Sequence, residues 1–177
     1  MLLYLVEKSD LMKEALEYLK RLLKSDDIVV VGVSTGPDSM ALLYLLMEVR
    51  KKTDIKIVCA HVNHNVRKES KDEAIFLEDY CKKNDIIFEA MKIEKYGDDN
   101  FHNEARTIRY DFFEGLVKKY HANYLMTAHH GDDLMETILM RLVRGSTLRG
   151  YGGFNSLIDK GTYKIVRPLI YATKDEI

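Results

Sequence analysis

Apolar runs and helical periods alternate along the chain. Residues 28–33 (IVVVGV), 55–62 (IKIVCAHV), 86–93 (IIFEAMKI), 123–129 (NYLMTAH) and 163–169 (YKIVRPL) read as strands. The first two are apolar nearly throughout, as strands covered on both faces must be. Between the runs, apolar positions recurring every three to four residues predict helices near 37–52, 69–84, 100–120 and 132–144, and residues 1–24 carry the same period. A repeating strand–helix order of this kind predicts an α/β domain built on a doubly wound parallel sheet of about five strands. Helices then cover both faces, and ligand sites fall at the carboxyl ends of the strands. The length, 177 residues, is that of one such domain. Near the end, Thr173 and Glu176 have the Thr-x-x-Glu spacing of a capping box, which signals a helix start.

Composition narrows the class. The longest apolar runs fall short of the ~18 residues of a membrane span, and the opening residues lack a basic leader, so they read as a structural helix and not a signal peptide. Only Cys59 and Cys81 are present, with no CxxC pair, which argues against a disulfide framework or a thiolate metal site and for a reducing cytoplasm. Net charge is -1, so no global basic field marks the chain. The charge is unevenly laid out, however. Residues 137–174 hold seven basic side chains (Arg141, Arg144, Arg149, Lys160, Lys164, Arg167, Lys174) against one acid, Asp159, together with five of the ten glycines, whereas residues 1–136 hold 20 basic and 25 acidic side chains. That tract is a candidate surface for a polyanion, or a solvated loop.

The strongest local signal for chemistry follows the first strand. Ser34-Thr35-Gly36-Pro37-Asp38-Ser39 places free backbone N–H groups and three hydroxyls around a helix start, with Pro37 suited to the first turn. A phosphate fits there. The segment is neither a Walker A loop nor a GxGxxG fingerprint. Asp38 would repel a phosphate unless a divalent cation lay between them, so residues 34–39 read as a nucleotide site with Mg²⁺ held at Asp38. An ordinary βα turn capped by Ser34 or Ser39 is the other reading of the same residues.

This segment resembles the pyrophosphate loop, Ser-Gly-Gly-x-Asp-Ser, of the PP-loop ATP pyrophosphatases. Three more segments narrow the resemblance: His61-Val62-Asn63-His64-Asn65-Val66-Arg67 with Ser70; Asn103-Glu104-Ala105-Arg106-Thr107-Ile108-Arg109-Tyr110 with Phe113; and Ala128-His129-His130-Gly131-Asp132-Asp133-Leu134-Met135-Glu136-Thr137. With Arg144-Gly145-Ser146 and Arg167-Pro168-Leu169 behind them, the ordered set is similar to the catalytic domain of the tRNA(Ile)-lysidine synthetase family, from about residue 28 onward. The resemblance implies an ATP-dependent carbon–nitrogen ligase that joins free L-lysine to C2 of the wobble cytidine of tRNA(Ile) with a CAU anticodon. The base would pass through an adenylated intermediate, with release of pyrophosphate and AMP. ATP would lie on Ser34, Thr35, Gly36, Pro37, Asp38 and Ser39.

One departure stands inside the loop. Thr35 occupies a position where the family has glycine, and a β-branched residue tolerates positive φ poorly, so the loop is expected either to take an ordinary φ there or to change its phosphate geometry. Family members also carry C-terminal domains that help to dock the tRNA. The sequence is therefore expected to be an N-terminal piece.

The remaining motifs have chemistry of their own. Asp133 and Glu136, at i and i+3, fall on one face of the first turn of a helix at a strand's carboxyl end, where two carboxylates suit an ammonium group. The resemblance assigns them to the lysine; capping-box spacing is the alternative. His129 could bind a phosphate, donate a proton, or be structural. His61, His64, His129 and His130 lack the thiolates of a zinc site. Arg106 and Arg109 share a helix face, and the resemblance makes Arg109 the candidate to neutralise polyphosphate, against helix ion pairs. Tyr110, Phe112 and Phe113 read as core. Arg141, Arg144 and Arg149 are the candidate contacts to tRNA phosphates, and a second copy of the chain is a further candidate partner. Two rivals remain open: a tRNA-thiolating relative, which would use paired cysteines, and a non-catalytic nucleotide-binding module, which would keep residues 34–39 and dispense with the acid pair.

Overall fold

A computed structural model describes residues 9–63, 70–93, 101–143 and 155–177. The first element is α1 (Asp10–Leu22), whose N-cap Ser9 accepts a hydrogen bond from the Met12 amide at 3.3 Å. Asp10 in the first turn and Lys20 and Arg21 in the last complement the helix dipole. Its buried face, Met12, Ala15 and Leu19, enters the core.

Four strand–helix steps follow in the expected order: β1 (Ile28–Gly32), α2 (Pro37–Arg50), β2 (Lys56–Asn63), α3 (Ser70–Lys83), β3 (Ile87–Lys92), α4 (Phe101–Tyr120), β4 (Tyr124–Met126) and α5 (Gly131–Val143), then β5 (Leu157–Asp159) and β6 (Lys164–Val166). The sheet order is β3-β2-β1-β4-β6-β5. All pairings are parallel except β5 with β6. Among the described residues the sheet thus has six strands where about five were expected. The additional one, β5, is a half-buried antiparallel edge whose two apolar residues, Leu157 and Ile158, lie between Ser156 and Asp159, too brief an apolar run to read as a strand.

The alternation along β1 divides the core into two layers. Val29 and Val31 face one side with Leu19 of α1 and Leu42, Leu45 and Leu46 of α2. Val30 faces the other with Val58, Leu125 and, from α4, Phe113, Leu116 and Val117. This covering of both faces explains the unbroken apolar runs of β1 and β2. Cys59 and Cys81 lie fully buried in the first layer and are not disulfide-bonded. Hydrogen-bonded to the Cys81 sulfur and buried, the Cys59 thiol is held well above the usual thiol range. Among the described residues no helix is long and apolar enough to cross a membrane.

Because β2 and β3 lie on one side of β1 and β4 and β6 on the other, the chain reverses its direction of winding at β1 and β4. Their carboxyl ends flank the crevice where open α/β sheets bind ligands.

Candidate active site

Two βα turns meet at that crevice. The first leaves β1 at Gly32, where a Cβ would come within 2.8 Å of Cζ of the Phe113 ring; the absent side chain lets α4 approach the strand end. The chain then turns through Ser34 and Thr35. Of the two alternatives expected at Thr35, the ordinary φ is not taken: Thr35 has φ +65°, the left-handed region, while Gly36 sits at −67°. The loop keeps a glycine-type backbone with threonine in it. The Thr35 hydroxyl donates to the Ser34 carbonyl oxygen at 2.5 Å, a local bond that opposes part of the strain.

Ser39 clamps the turn. Its Oγ accepts from the Ser34 amide at 3.1 Å, donates to the Gly36 carbonyl at 2.9 Å, and lies 3.3 Å from Ser34 Oγ. Gly36, the N-cap of α2, offers no side-chain acceptor, and Pro37 follows it. The first-turn amides of α2 are therefore open to an external anion. Asp38 stands among them with one buried carboxylate oxygen, Oδ1, that has no hydrogen-bond partner among the described residues.

The second turn leaves β4 through Thr127, whose Oγ1 is hydrogen-bonded to Nδ1 of His129 at 2.8 Å. Burial, with the charges of Arg167, Arg109 and Arg106 around it, lowers the His129 pKa to about 4 against the opposing pull of Asp133. His129 is thus neutral at physiological pH, suited to hydrogen bonding and not to acting as a cation. His130 precedes α5, and its amide donates to Asp133 Oδ2 at 3.0 Å. Asp133 does cap the helix, but with His130 and not with Glu136. The next amide, Gly131, donates to the Ala172 carbonyl at 2.8 Å, and a Cβ at Gly131 would lie 3.1 Å from that oxygen. Asp132 in turn accepts from the Lys174 amide at 2.8 Å. Thr173 and Glu176 close the expected capping box around the 3-10 turn Lys174–Glu176, the Thr173 amide donating to Glu176 Oε2 at 2.8 Å.

Between the turns lies a cavity of about 310 Å³, at the lower end of small-molecule clefts, roughly 300–1,000 Å³. Six of the expected site residues line it: Ser34, Asp38, Ser39, Arg109, His129 and Asp133. Phe113, expected as core, is both core and cavity wall. Arg109 reaches the cavity from α4, its guanidinium 5.9 Å from the Tyr110 ring centroid, with Arg106 at 5.7 Å from the same ring. Glu136 does not line the cavity; it lies one turn further along α5, exposed. Arg144 and Arg149 lie outside the described residues, and the Arg141 side chain is likewise not described. Arg167 departs from the basic surface expected of its tract: it is buried, with Nη1 donating to the Asn155 carbonyl at 2.6 Å. His61 is structural, buried with Nδ1 2.9 Å from the Val33 carbonyl.

Two participants escaped the reading of the residues. Arg167 acts on His129 by charge, and its sequence signals, a place in the basic tract and in the Arg-Pro-Leu segment, pointed to a surface role or to none in particular. His130 is buried, with Nε2 3.6 Å from Asp38 Oδ2 and 3.6 Å from Asp133 Oδ2. It joins the two turns.

Among the described residues no cluster of three or more His, Cys, Asp or Glu side chains could hold a metal by itself. One carboxylate with an unpartnered buried oxygen, beside open helix amides, instead fits a hard cation shared between the protein and ligand phosphates, as Mg²⁺ is commonly held.

A winding-reversal crevice with an anion-accepting first turn defines a nucleotide-binding α/β domain. The model of the PP-loop domain family matches residues 8–177, and the chain belongs to that family. Among curated relatives, a protein of Bacillus cereus named tRNA(Ile)-lysidine synthase is 46% identical over 162 residues, covering 88% of this chain and 34% of the relative. A Staphylococcus aureus protein of the same name is 42% identical over 156 residues, 86% of this chain and 36% of the relative. The chain spans about a third of the length of these relatives. Of solved structures, a U34-tRNA thiolase from Methanococcus maripaludis superposes with a TM-score of 0.75 at 20% identity, over 94% of this chain and 60% of that one, which establishes the shared fold.

Proposed function

We propose that the chain carries the ATP-dependent step and the lysine site of a tRNA(Ile)-lysidine synthase. The observation that carries the reading is the facing of opposite chemistries across one cavity, an open helix N-terminus at residues 34–39 and a carboxylate at Asp133. The names of the relatives supply tRNA(Ile) and lysidine; the wobble cytidine of a CAU anticodon as acceptor and lysine as donor are what the family resemblance implies.

In this reading the α2 turn holds the ATP phosphates on its open amides and on the Ser34 and Ser39 hydroxyls, and Arg109 offsets their charge from α4. Mg²⁺, held at Asp38, would neutralise phosphate charge and favour pyrophosphate as leaving group. The C2 oxygen of the cytosine attacks the α-phosphorus, and the bond to the bridging β-phosphate oxygen breaks. Neutral His129 can donate a hydrogen bond to a phosphate oxygen without adding charge. The lysine ε-amine then attacks C2, the C2–O bond breaks, and AMP leaves with that oxygen. Asp133 and Glu136 hold the lysine by its amino groups, and one carboxylate takes the proton that the amine sheds. Arg141, Arg144 and Arg149 serve the tRNA backbone, and the cytoplasm is where all three substrates meet.

The thiolation rival is disfavoured by the cysteines: both are buried in a core layer and neither lines the cavity. Incubating the chain with ATP, Mg²⁺ and purified tRNA(Ile), with and without L-lysine, tests the reading. Pyrophosphate release that requires tRNA, and AMP formation that requires lysine, are the expected results. Nucleotide binding without either product would leave a binding module in its place.

A further inference from the structure

His130 sits where the two halves of the cavity touch. Its Nε2 is 3.6 Å from a carboxylate oxygen of each turn, Asp38 Oδ2 on α2 and Asp133 Oδ2 on α5, and its ring is buried. The residue is fixed from behind. Its amide donates to Asp133 and its carbonyl accepts from Leu134, while Gly131 and Asp132 tie the same turn to Ala172 and Lys174. Asp132 Oδ2 also lies 3.8 Å from Nδ1 on the ring's other edge. The backbone that carries the imidazole is thus fastened at the start of α5.

One nitrogen hydrogen cannot point at two acceptors at once. We infer that His130 is a positioning residue that couples nucleotide binding to lysine binding: its Nε2, 3.6 Å from each carboxylate and beyond hydrogen-bond distance of both, closes onto Asp133 when the nucleotide engages Asp38. The inference rests on the assignment of ATP to residues 34–39 and of lysine to Asp133. Without nucleotide, the two carboxylates share Nε2 at 3.6 Å each, and Asp133 Oδ2 is held, among the described residues, by the His130 amide alone. With nucleotide, Asp38 turns to the cation and phosphates, Nε2 serves Asp133 Oδ2 alone, and the Asp133 carboxylate is held in one orientation for the lysine ammonium. The lysine then binds a site already ordered, and by linkage lysine tightens the nucleotide by the same factor. The order suits the reaction, since lysine is best retained when an activated base can form.

Calorimetric titration of the full chain with L-lysine, with and without a non-hydrolysable ATP analogue and Mg²⁺, reads this coupling. The analogue is expected to lower the lysine Kd of the unmodified chain by about five-fold or more, the lower end of usual site–site coupling. His130→Asn retains an amide near the Nδ1 side only and is expected to bring the ratio close to one. His130→Gln, whose amide reaches the Nε2 position, is expected to restore it. Asp38→Ala frees Nε2 without altering the His130 turn, so it is expected to bind lysine unaided as tightly as the unmodified chain does with the analogue. A folded His130→Asn variant with the unmodified ratio would overturn the inference, as would a ratio of one in the unmodified chain. Loss of coupling in His130→Gln as well would assign the effect to the integrity of the turn and overturn it too. A lysine Kd that Asp133→Asn leaves unchanged would instead remove the lysine assignment itself, and the inference with it.

Discussion

The β1–α2 and β4–α5 turns have the same architecture and opposite chemistry. Each takes a parallel strand at the centre of the sheet into a helix N-terminus, and each N-terminus carries the same partial positive charge. The difference lies in who satisfies the first amides. In α2 the N-cap is Gly36, which has no side chain to offer, and the serine hydroxyls bind the loop to itself. In α5 the His130 amide is taken by Asp133 and the Gly131 amide by Ala172. The first helix end is left open, and the second is closed by its own carboxylate, which in the proposed reading faces the lysine ammonium while the open end takes the phosphates. Capping chemistry, more than fold, sets the sign of the ligand each turn can take.

The sharpest way to break this comparison is to remove the charge of the closed turn. Asp133→Asn keeps an acceptor oxygen for the His130 amide and loses the ammonium partner, so turnover with lysine is expected to fall by tens to thousands of fold, about 2–5 kcal/mol. Glu136→Gln, exposed and outside the cavity, is expected to lose less and mainly in lysine KM. Nucleotide affinity and melting temperature are expected to stay near their starting values in both. A fall in melting temperature with normal lysine kinetics would reduce Asp133 to a helix cap.

On the open turn the corresponding variant is Asp38→Asn. It removes the carboxylate placed to share a cation with the phosphates, and pyrophosphate release is expected to drop by about a hundred-fold, the scale of one lost transition-state electrostatic contact. An unchanged rate, with an unchanged dependence on Mg²⁺, would take Asp38 out of the nucleotide site.

The contrast between the turns was only half legible in the sequence. The open turn announced itself, because serine, glycine, proline and aspartate after an apolar strand are a local pattern whose meaning depends on neighbours within six residues. The closed turn did not. Asp133 and Glu136 had cap spacing with each other, yet the helix starts at Gly131, and the cap pairs Asp133 with His130. That choice is made by Ala172 and Lys174, some forty residues away, which fasten Gly131 and Asp132. Arg167 and His130 were hidden for the same reason: their roles come from which strand ends become neighbours. Of the six strands among the described residues, five were visible as apolar runs: β1, β2, β4 and β6 because burial leaves a mark on composition, and β3, a half-exposed edge, because Ile86 to Ile93 is still mostly apolar; β5, with only Leu157 and Ile158 between polar neighbours, leaves none.

His129 offers a smaller, pH-dependent test of the closed turn. Its pKa in the folded chain is lowered to about 4, against about 6.5 unfolded. Between those values the unfolded chain binds more protons, so stability rises with pH through the window and is lost as pH falls from about 6.5 toward 4. At pH 5 the loss from this one group is about 2 kcal/mol relative to pH 7. Denaturant unfolding at both pH values is expected to show that loss in the unmodified chain and to show it reduced by about that amount in His129→Gln. Equal losses in the two proteins would mean that His129 is not held neutral by its surroundings.

The smallest expected effect belongs to Thr35 and sharpens the account of the open turn. At φ +65° a β-branched residue carries about 1–2 kcal/mol of backbone strain. Glycine at this position relieves the strain but gives the unfolded chain more freedom, a loss of about 0.5–1 kcal/mol. It also removes the hydrogen bond from the threonine hydroxyl to the Ser34 carbonyl. The net change for Thr35→Gly is therefore expected to be a gain of no more than about 1 kcal/mol, a few degrees in melting temperature at most. Nucleotide affinity is the more telling measurement. If the loop needs only a left-handed backbone at this residue, Thr35→Gly binds ATP as well as before or better, since the path of the chain past Ser34 and Gly36 is unchanged. If affinity falls by ten-fold or more while the melting temperature holds, the threonine hydroxyl turns from the Ser34 carbonyl to the phosphates when they arrive. The loop then has a side-chain ligand where glycine would have only backbone, and the strain is retained for what the hydroxyl does.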